Sequence, residues 1–192
     1  SSAHTVYSTD YLQGLWKSCL LQGAEFKQDV VEDLSYFKHF DRIIIAAGFG
    51  TLGIEELAEL PITLVKGQLL DLEWPEGIPP LPFAVNSQAY VVMNRDNKSC
   101  VAGATYERDY ETEGPDVSVA KREIFPKLSF FPYLQEARIL SCRTHFRVST
   151  KNHLPLVKQV NARTWVLTGM GSKGLLYHAL FARELSERVL LD

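Results

Sequence analysis

Thr164-Trp165-Val166-Leu167-Thr168-Gly169-Met170-Gly171-Ser172-Lys173-Gly174-Leu175-Leu176 decides how this chain is read. Residues 164–169 form a short apolar, β-branched run, the pattern of a buried strand. Three glycines follow at G-x-G-x-x-G spacing. Residues 175–190 then place Leu175, Leu176, Ala179, Ala182, Leu185 and Val189 along one stripe of a helix. A strand, a glycine turn and a helix therefore occupy 164–190. The start of such a helix carries amides without intrahelical acceptors and the positive end of the helix dipole. Glycines let another molecule approach the backbone closely, and Lys173 adds a cation. The arrangement suits an anionic or electron-rich group. The same glycines also serve tight helix–sheet packing, and both readings stand at this point.

The spacing G-x-G-x-x-G occurs a second time, as Gly48-Phe49-Gly50-Thr51-Leu52-Gly53, after the run Arg42-Ile43-Ile44-Ile45-Ala46-Ala47. That run reads as a strand buried on both faces. A dinucleotide fingerprint needs a strand, a crossover helix and a parallel strand ending in an acid. Only residues 54–60 separate Gly53 from Pro61, whereas a crossover takes about ten or more residues. Beyond Gly174 no strand follows that could carry a ribose-binding acid. Neither glycine motif is expected to be a complete dinucleotide unit.

Working outward, Ser8-Thr9-Asp10 offers caps for a helix with Tyr11, Leu12, Leu15, Trp16, Cys19 and Leu20 on one side and Gly23 as its stop. Residues 24–31 read as a strand and 54–60 as a short helix cut off by Pro61. The texture then changes. Residues 62–72, 83–93, 99–105 and 137–150 are strand-like, with turns at 74–82 and 94–98 and a helix over 116–127. An antiparallel middle is thus flanked by pieces of an α/β layer, the signature of one domain inserted into another.

The 192 residues are 46% hydrophobic and 22% charged with a net charge of −3, which describes a soluble globular protein and gives no sign of a nucleic-acid or membrane partner. No apolar run spans a bilayer, and no signal peptide is visible. Cys19, Cys100 and Cys142 are odd in number and contain no C-x-x-C pair, so reduced thiols in a cytoplasmic compartment are expected. His145 and His153 flank Arg147 without a further ligand cluster, so no metal site is expected. His178 reads as a packed residue rather than a base. Cys142, beside Arg143, reads either as mildly activated by that cation or as inert.

Five short motifs run in order along nearly the whole chain. Asp41-Arg42-Ile43-Ile44-Ile45-Ala46-Ala47-Gly48 resembles "D-x-hydrophobic run-A-T/A-G", and Leu64-Val65-Lys66-Gly67-Gln68 resembles "V-R-G-Q". Gly103-Ala104-Thr105-Tyr106-Glu107 resembles "G-A-T-x-E", Arg147 to Pro155 resembles "R-P-x-T-P-D-x-x-P", and Gly169 to Leu175 resembles "G-H-G-S-R-G-L". Together they resemble the C-terminal two-thirds of flavoenzymes of the D-amino-acid oxidase and glycine oxidase type, nearest the oxidase domain of the bifunctional tRNA wobble-uridine modification enzyme.

The resemblance implies an α+β fold, with an antiparallel-sheet substrate domain (residues 61–146) inserted into an incomplete α/β FAD-binding layer (1–60 and 147–192). It implies FAD as cofactor and oxidation of an amine or amino acid at its C–N bond, and it admits a modified tRNA base as substrate. It implies that Arg147 pairs with a substrate carboxylate, which a planar guanidinium grips bidentately. Tyr90, with Gln88 on the same face of its strand, falls at the active site. Ala47, Gly48, Gly169, Gly171, Ser172, Lys173 and Gly174 fall against the cofactor. No residue is implied as a catalytic acid or base. Asn152 stands where the family has Asp, and Lys158 where it has Gly. The N-terminal FAD fingerprint is missing, and the chain opens without Met. The expectation is therefore an excised part of a longer enzyme that does not retain FAD alone. The alternative is a non-catalytic ligand-binding domain that has lost the cofactor. An unrelated nucleotide-binding module built on Gly48 to Gly53 is the third reading.

Overall fold

A computed structural model describes residues 5–191. Two sheets organise them. The larger is antiparallel, built from β2 (Ile62–Glu73), β3 (Val85–Asn86), β4 (Tyr90–Met93), β5 (Ser99–Gly103) and β6 (Ile139–Thr150) in the order β3-β4-β5-β2-β6. The smaller has the order β1-β8-β7, from β1 (Ile43–Ile45), β7 (Leu156–Asn161) and β8 (Thr164–Thr168). In the chain, all five strands of the large sheet lie between β1 and its parallel neighbour β8, which is the inserted arrangement of an α+β fold.

The long pair β2–β6 runs in register from Ile62↔Thr150 to Leu72↔Ile139, with a bulge after Asp71. Period-two patterning gives this sheet two different faces. Leu70, Leu72, Val91, Cys100 and Ala102 point to one face, where Ala120 and Ile124 of α2 (Val117–Ile124) bury them together with Leu128 and Leu134. Asp116 caps α2 by accepting from Val119 N–H at 3.0 Å. The helix expected over 116–127 stops at Ile124 and tightens to a 3-10 turn over Phe125–Leu128, because Pro126 has no amide to donate. The opposite face carries Val65, Gly67, Leu69 and Asp71 of β2, Gly103 of β5, Tyr90 of β4, and Arg143, His145 and Arg147 of β6, all paired across the strands.

Around the smaller sheet, Ile43, Ile45 and Val166 pack with Leu57, Leu60, Ile62 and Val148. Ile44 is 48% exposed, so β1 is buried on one face and not on both, as its unbroken apolar run suggested. On the other side Trp165 and Leu167 pack against Leu185 and Val189 of α3 (Gly174–Leu191). The N-terminal half of the α3 stripe, Leu175 and Leu176, faces outward.

Other expectations need correction. Residues 24–31 form no strand, because they have no neighbouring strand to complete a ladder; Lys27 and Asp29 instead bond to Tyr36. Residues 54–60 fold as a 3-10 turn, Glu55–Leu57, rather than an α-helix. The strand expected over 83–93 is a hairpin, β3 and β4, whose tip is closed by Ser87 N–H donating to the Ala89 carbonyl at 2.9 Å. Gln88 therefore sits in an exposed bend and not on the strand face of Tyr90. The expected strand 99–105 ends at Gly103. Strand β7 was not anticipated, because Lys158 and Gln159 break its apolar run; its hairpin with β8 is stapled by Arg163 N–H on Asn161 Oδ1 at 3.0 Å.

Helix α1 (Ser8–Leu21) forms, but Ser8, Thr9 and Asp10 lie within its first turn, Tyr7 stands at the cap with no side-chain capping bond, and none of the helix's residues is buried. It touches α3 through Tyr11 Oη and His178 Nε2, 2.7 Å apart, while His178 Nδ1 lies 2.9 Å from the Gly174 carbonyl. His178 is thus a packed, bonded ring. Among the described residues no helix is long and apolar enough to cross a membrane.

Candidate functional site

Arg147 lies near the end of β6, opposite Val65 of β2. Its guanidinium folds flat over the next residue but one of β2, Gly67. A Cβ on Gly67 would lie 2.7 Å from both Cζ and Nη2 of Arg147. Nη1 donates to the Thr105 carbonyl at 3.3 Å. Thr105 is itself fixed: its Oγ1 accepts from Gln68 N–H at 2.8 Å and donates to the Glu107 carboxylate. Gln68 Nε2 donates to the same Glu107 oxygen at 2.9 Å, and Lys66 Nζ donates to the Thr112 carbonyl at 2.7 Å. Lys66, Gln68, Thr105 and Glu107 are all buried, so a satisfied polar network lies beneath the sheet under Arg147.

Tyr90 also lies beside a glycine, Gly103, where the nearest neighbour of a Cβ would be Leu69 Cδ2 at 2.5 Å. Tyr90 faces Gly103 across the strands, and its Oη and Cζ lie 3.2 and 3.3 Å from where a Gly103 Cβ would stand. Burial raises the pKa of the phenol against the lowering influence of Arg147 and Arg143, so Tyr90 keeps its proton at neutral pH. Arg143 is taken by Asp71, with Nε at 2.8 Å and Nη2 at 2.9 Å from its two oxygens. Cys142 points to the other face of β6, where burial, with Asp116 next, pushes its thiol up; of its two readings, the inert thiol is the one this environment supports.

The glycine turn after β8 divides its glycines between two tasks. Gly169 has φ +77°, and a Cβ there would lie 2.7 Å from Thr150 Cγ2. This is the tight-packing role. Gly171 has φ +55°, with the nearest neighbour of a Cβ, Ser149 Oγ, at 3.8 Å. Its amide donates to the Val148 carbonyl at 2.8 Å, and Met170 bridges to Ser149, so the turn is tied to the end of β6. Lys173 N–H is used by the Met170 carbonyl. Among the described residues the amides of Ser172, Gly174 and Leu175 have no backbone acceptor, leaving the start of α3 with free donors.

A cavity of about 120 Å³ lies between β6 and this turn, with Arg147, Gly171, Ser172 and Lys173 in its wall. Tyr106, Ser149 and His153 also line it. Sequence reading did not select these three, because the bridge from Ser149 to Met170 that gathers them exists only in the folded chain. His153 adopts φ +58°, and its Nδ1 lies 3.5 Å from Ser149 Oγ. Tyr90 sits on the same sheet face outside the cavity wall, and Gln88 does not approach it. Ala47 and Gly48 lie just past the end of β1, outside this cavity, yet at a meaningful place. Strands β1 and β8 are parallel, so Ala47-Gly48 and Gly169 leave from the same C-terminal edge, where ligands of parallel sheets bind. Residues 48–53 form a 3-10 turn with no crossover helix after it, which removes the dinucleotide reading of that motif. A larger groove, about 760 Å³, runs along Glu73 to Ile78 and Tyr133 to Arg138. It is an open surface feature in which Arg138 and Glu73 neutralise each other.

The free amides at Ser172 and Gly174, the cation of Lys173 and the open space above Gly171 and Gly174 suit one electron-rich edge of a bound ring. Among the described residues neither glycine turn belongs to a complete strand–turn–helix–parallel strand unit of the kind that holds a pyrophosphate.

Residues 1–188 match the family described as FAD dependent oxidoreductase. The tRNA 5-methylaminomethyl-2-thiouridine biosynthesis bifunctional protein MnmC of Idiomarina loihiensis is 25% identical over 150 residues, covering 76% of this chain and 25% of that protein. The solved iminodiacetate oxidase of Chelativorans sp. BNC1 superposes with a TM-score of 0.64 at 22% identity, covering 80% of this chain and 43% of that one. Glycine oxidase of Geobacillus kaustophilus gives 0.59 at 20% identity, covering 77% and 41%. The chain thus spans a quarter of that bifunctional protein and less than half of these two structures.

Proposed function

The chain belongs to the FAD dependent oxidoreductase family, and from that premise we propose that it is the substrate-binding and flavin-contacting part of an enzyme that oxidises an amine or amino acid at its C–N bond. One observation carries the reading: a single cavity is lined both by Arg147 and by Gly171, Ser172 and Lys173. A group that grips carboxylates and a group of free amides suited to an electron-rich ring edge therefore face the same space.

When bound, FAD supplies the two-electron oxidation of the C–N bond. The chain's own residues do the rest. Arg147, held flat by Gly67 and Thr105, presents a fixed fork to the substrate carboxylate and orients the amine-bearing carbon. Tyr90, protonated and half-buried, donates a hydrogen bond on the same face. The amides of Ser172 and Gly174 and the Lys173 ammonium stabilise negative charge on the ring edge. Ala47, Gly48 and Gly169 line the parallel-strand edge where that ring lies. The pyrophosphate is held by sequence other than the described residues, so this chain alone binds FAD weakly. The likeness to a tRNA-modifying protein keeps an amine carried on a modified tRNA base within the substrate class. The three free cysteines fit a reducing, cytoplasmic setting.

The test is made on the whole natural protein that carries this chain. It is expected to be yellow, and amines bearing a carboxylate (glycine, sarcosine, iminodiacetate) are expected to reduce its flavin without oxygen. A colourless protein, or one whose flavin no amine reduces, would defeat the proposal.

A further inference from the structure

The strand face that carries Arg147 has a detail the carboxylate reading does not use by itself. Gly67 is not in a turn, and its φ lies outside the left-handed region that favours glycine. In a strand interior such a glycine costs stability and needs a reason, commonly the close approach of another group. Here the group is the guanidinium of Arg147: its Cζ and both Nη atoms occupy the space a side chain at 67 would take, and no other neighbour is as close. The three nearest atoms all belong to the far end of one flexible side chain. An added methyl would therefore displace the guanidinium and leave the backbone in place.

We propose that Gly67 is a positioning residue for substrate binding: its missing side chain is the seat of the Arg147 guanidinium, and it sets the height and tilt of the carboxylate-gripping fork above the sheet. The seat has one floor and one wall. The floor is the Gly67 backbone. The wall is the Thr105 carbonyl, which takes Nη1 and cannot drift because Gln68 N–H and the Glu107 carboxylate hold the Thr105 hydroxyl. A guanidinium lifted from the floor also leaves the wall. It then loses the fixed plane that bidentate binding requires.

This inference rests on Arg147 binding a carboxylate, and the experiment separates the two. The full chain is labelled with ¹⁵N and titrated with acetate while the side-chain Nε–H resonance of Arg147 is followed. In the parent protein acetate shifts this resonance saturably. In Gly67→Ala the resonance moves before any ligand is added, and acetate affinity falls about ten- to a hundredfold, the weight of one charge-assisted hydrogen bond. Thermal stability is unchanged or slightly higher, because Ala is the better strand residue. In an Arg147→Lys background, with acetate affinity read by calorimetric titration in both backgrounds, the same Gly67→Ala change adds no more than about a twofold effect, since the group it displaces is gone.

Equal losses in both backgrounds, full acetate affinity in Gly67→Ala, or unfolding of Gly67→Ala would each overturn the proposal while leaving the role of Arg147 intact. Absence of any acetate effect on Arg147 in the parent protein would overturn both.

Discussion

Replacing Gly169 by Ala tests whether the glycine turn is built as described. Two penalties act at once. The backbone has φ +77°, which costs a residue with a Cβ about 1–2 kcal/mol. The new methyl would also lie 2.7 Å from Thr150 Cγ2, and overpacking of this kind costs about 1–3 kcal/mol. Thr150 cannot swing aside freely, because its Oγ1 lies 2.7 Å from the Leu154 carbonyl and 2.8 Å from Asn152 Oδ1. The expected loss is about 2–5 kcal/mol. Gly171→Ala carries the first penalty alone, since its nearest neighbour stands at 3.8 Å, so about 1–2 kcal/mol is expected. Urea unfolding followed by tryptophan fluorescence reads both. At about 2–4 °C per kcal/mol for a chain of this length, Gly169→Ala melts about 4–20 °C lower. Equal losses in the two variants, or a Gly169→Ala protein within about 0.5 kcal/mol of the parent, would refute the division of labour between a packing glycine and a ligand-facing one.

Two further outcomes are expected. Glu107→Ala removes the acceptor of Gln68 and Thr105 and the carboxylate beside the buried Lys66 ammonium, so urea unfolding should register a loss of about 3–5 kcal/mol. Burial, with Asp71 second, pushes the Cys100 thiol up to about 12. At pH 8 it is therefore almost wholly protonated and inert to iodoacetamide, while exposed Cys19 reacts; mass spectrometry of peptides locates the label, and alkylation of Cys100 in native protein would contradict its burial.

What could be read from the sequence follows what is local. The β8–turn–α3 unit is legible because strand period, glycine spacing and helix period succeed one another within 30 residues, as is the long alternating run of β2. Elements that depend on distant partners were not. Residues 24–31 have strand composition but no ladder to join, and β7 has polar outward residues that conceal it until β8 is beside it. Single residues decided two boundaries: Pro126 ends α2, and the tip at Ser87 folds one apparent strand into two. The site behaved alike. Arg147 and the turn were visible as motifs, but that they share a wall of one cavity is set by the Gly171–Val148 and Met170–Ser149 links, between residues more than 20 positions apart. The seat at Gly67 is likewise a relation between strands.

The central claim is that Arg147 and the glycine turn belong to one site, one holding a carboxylate and the other a flavin edge. The most direct measurement is the visible spectrum of the flavin in the whole natural protein as acetate is added. A carboxylate bound at Arg147 is expected to perturb the flavin bands saturably, and Arg147→Ala to abolish the change while leaving flavin bound. A spectrum indifferent to acetate, or one that responds equally in Arg147→Ala, would contradict the claim.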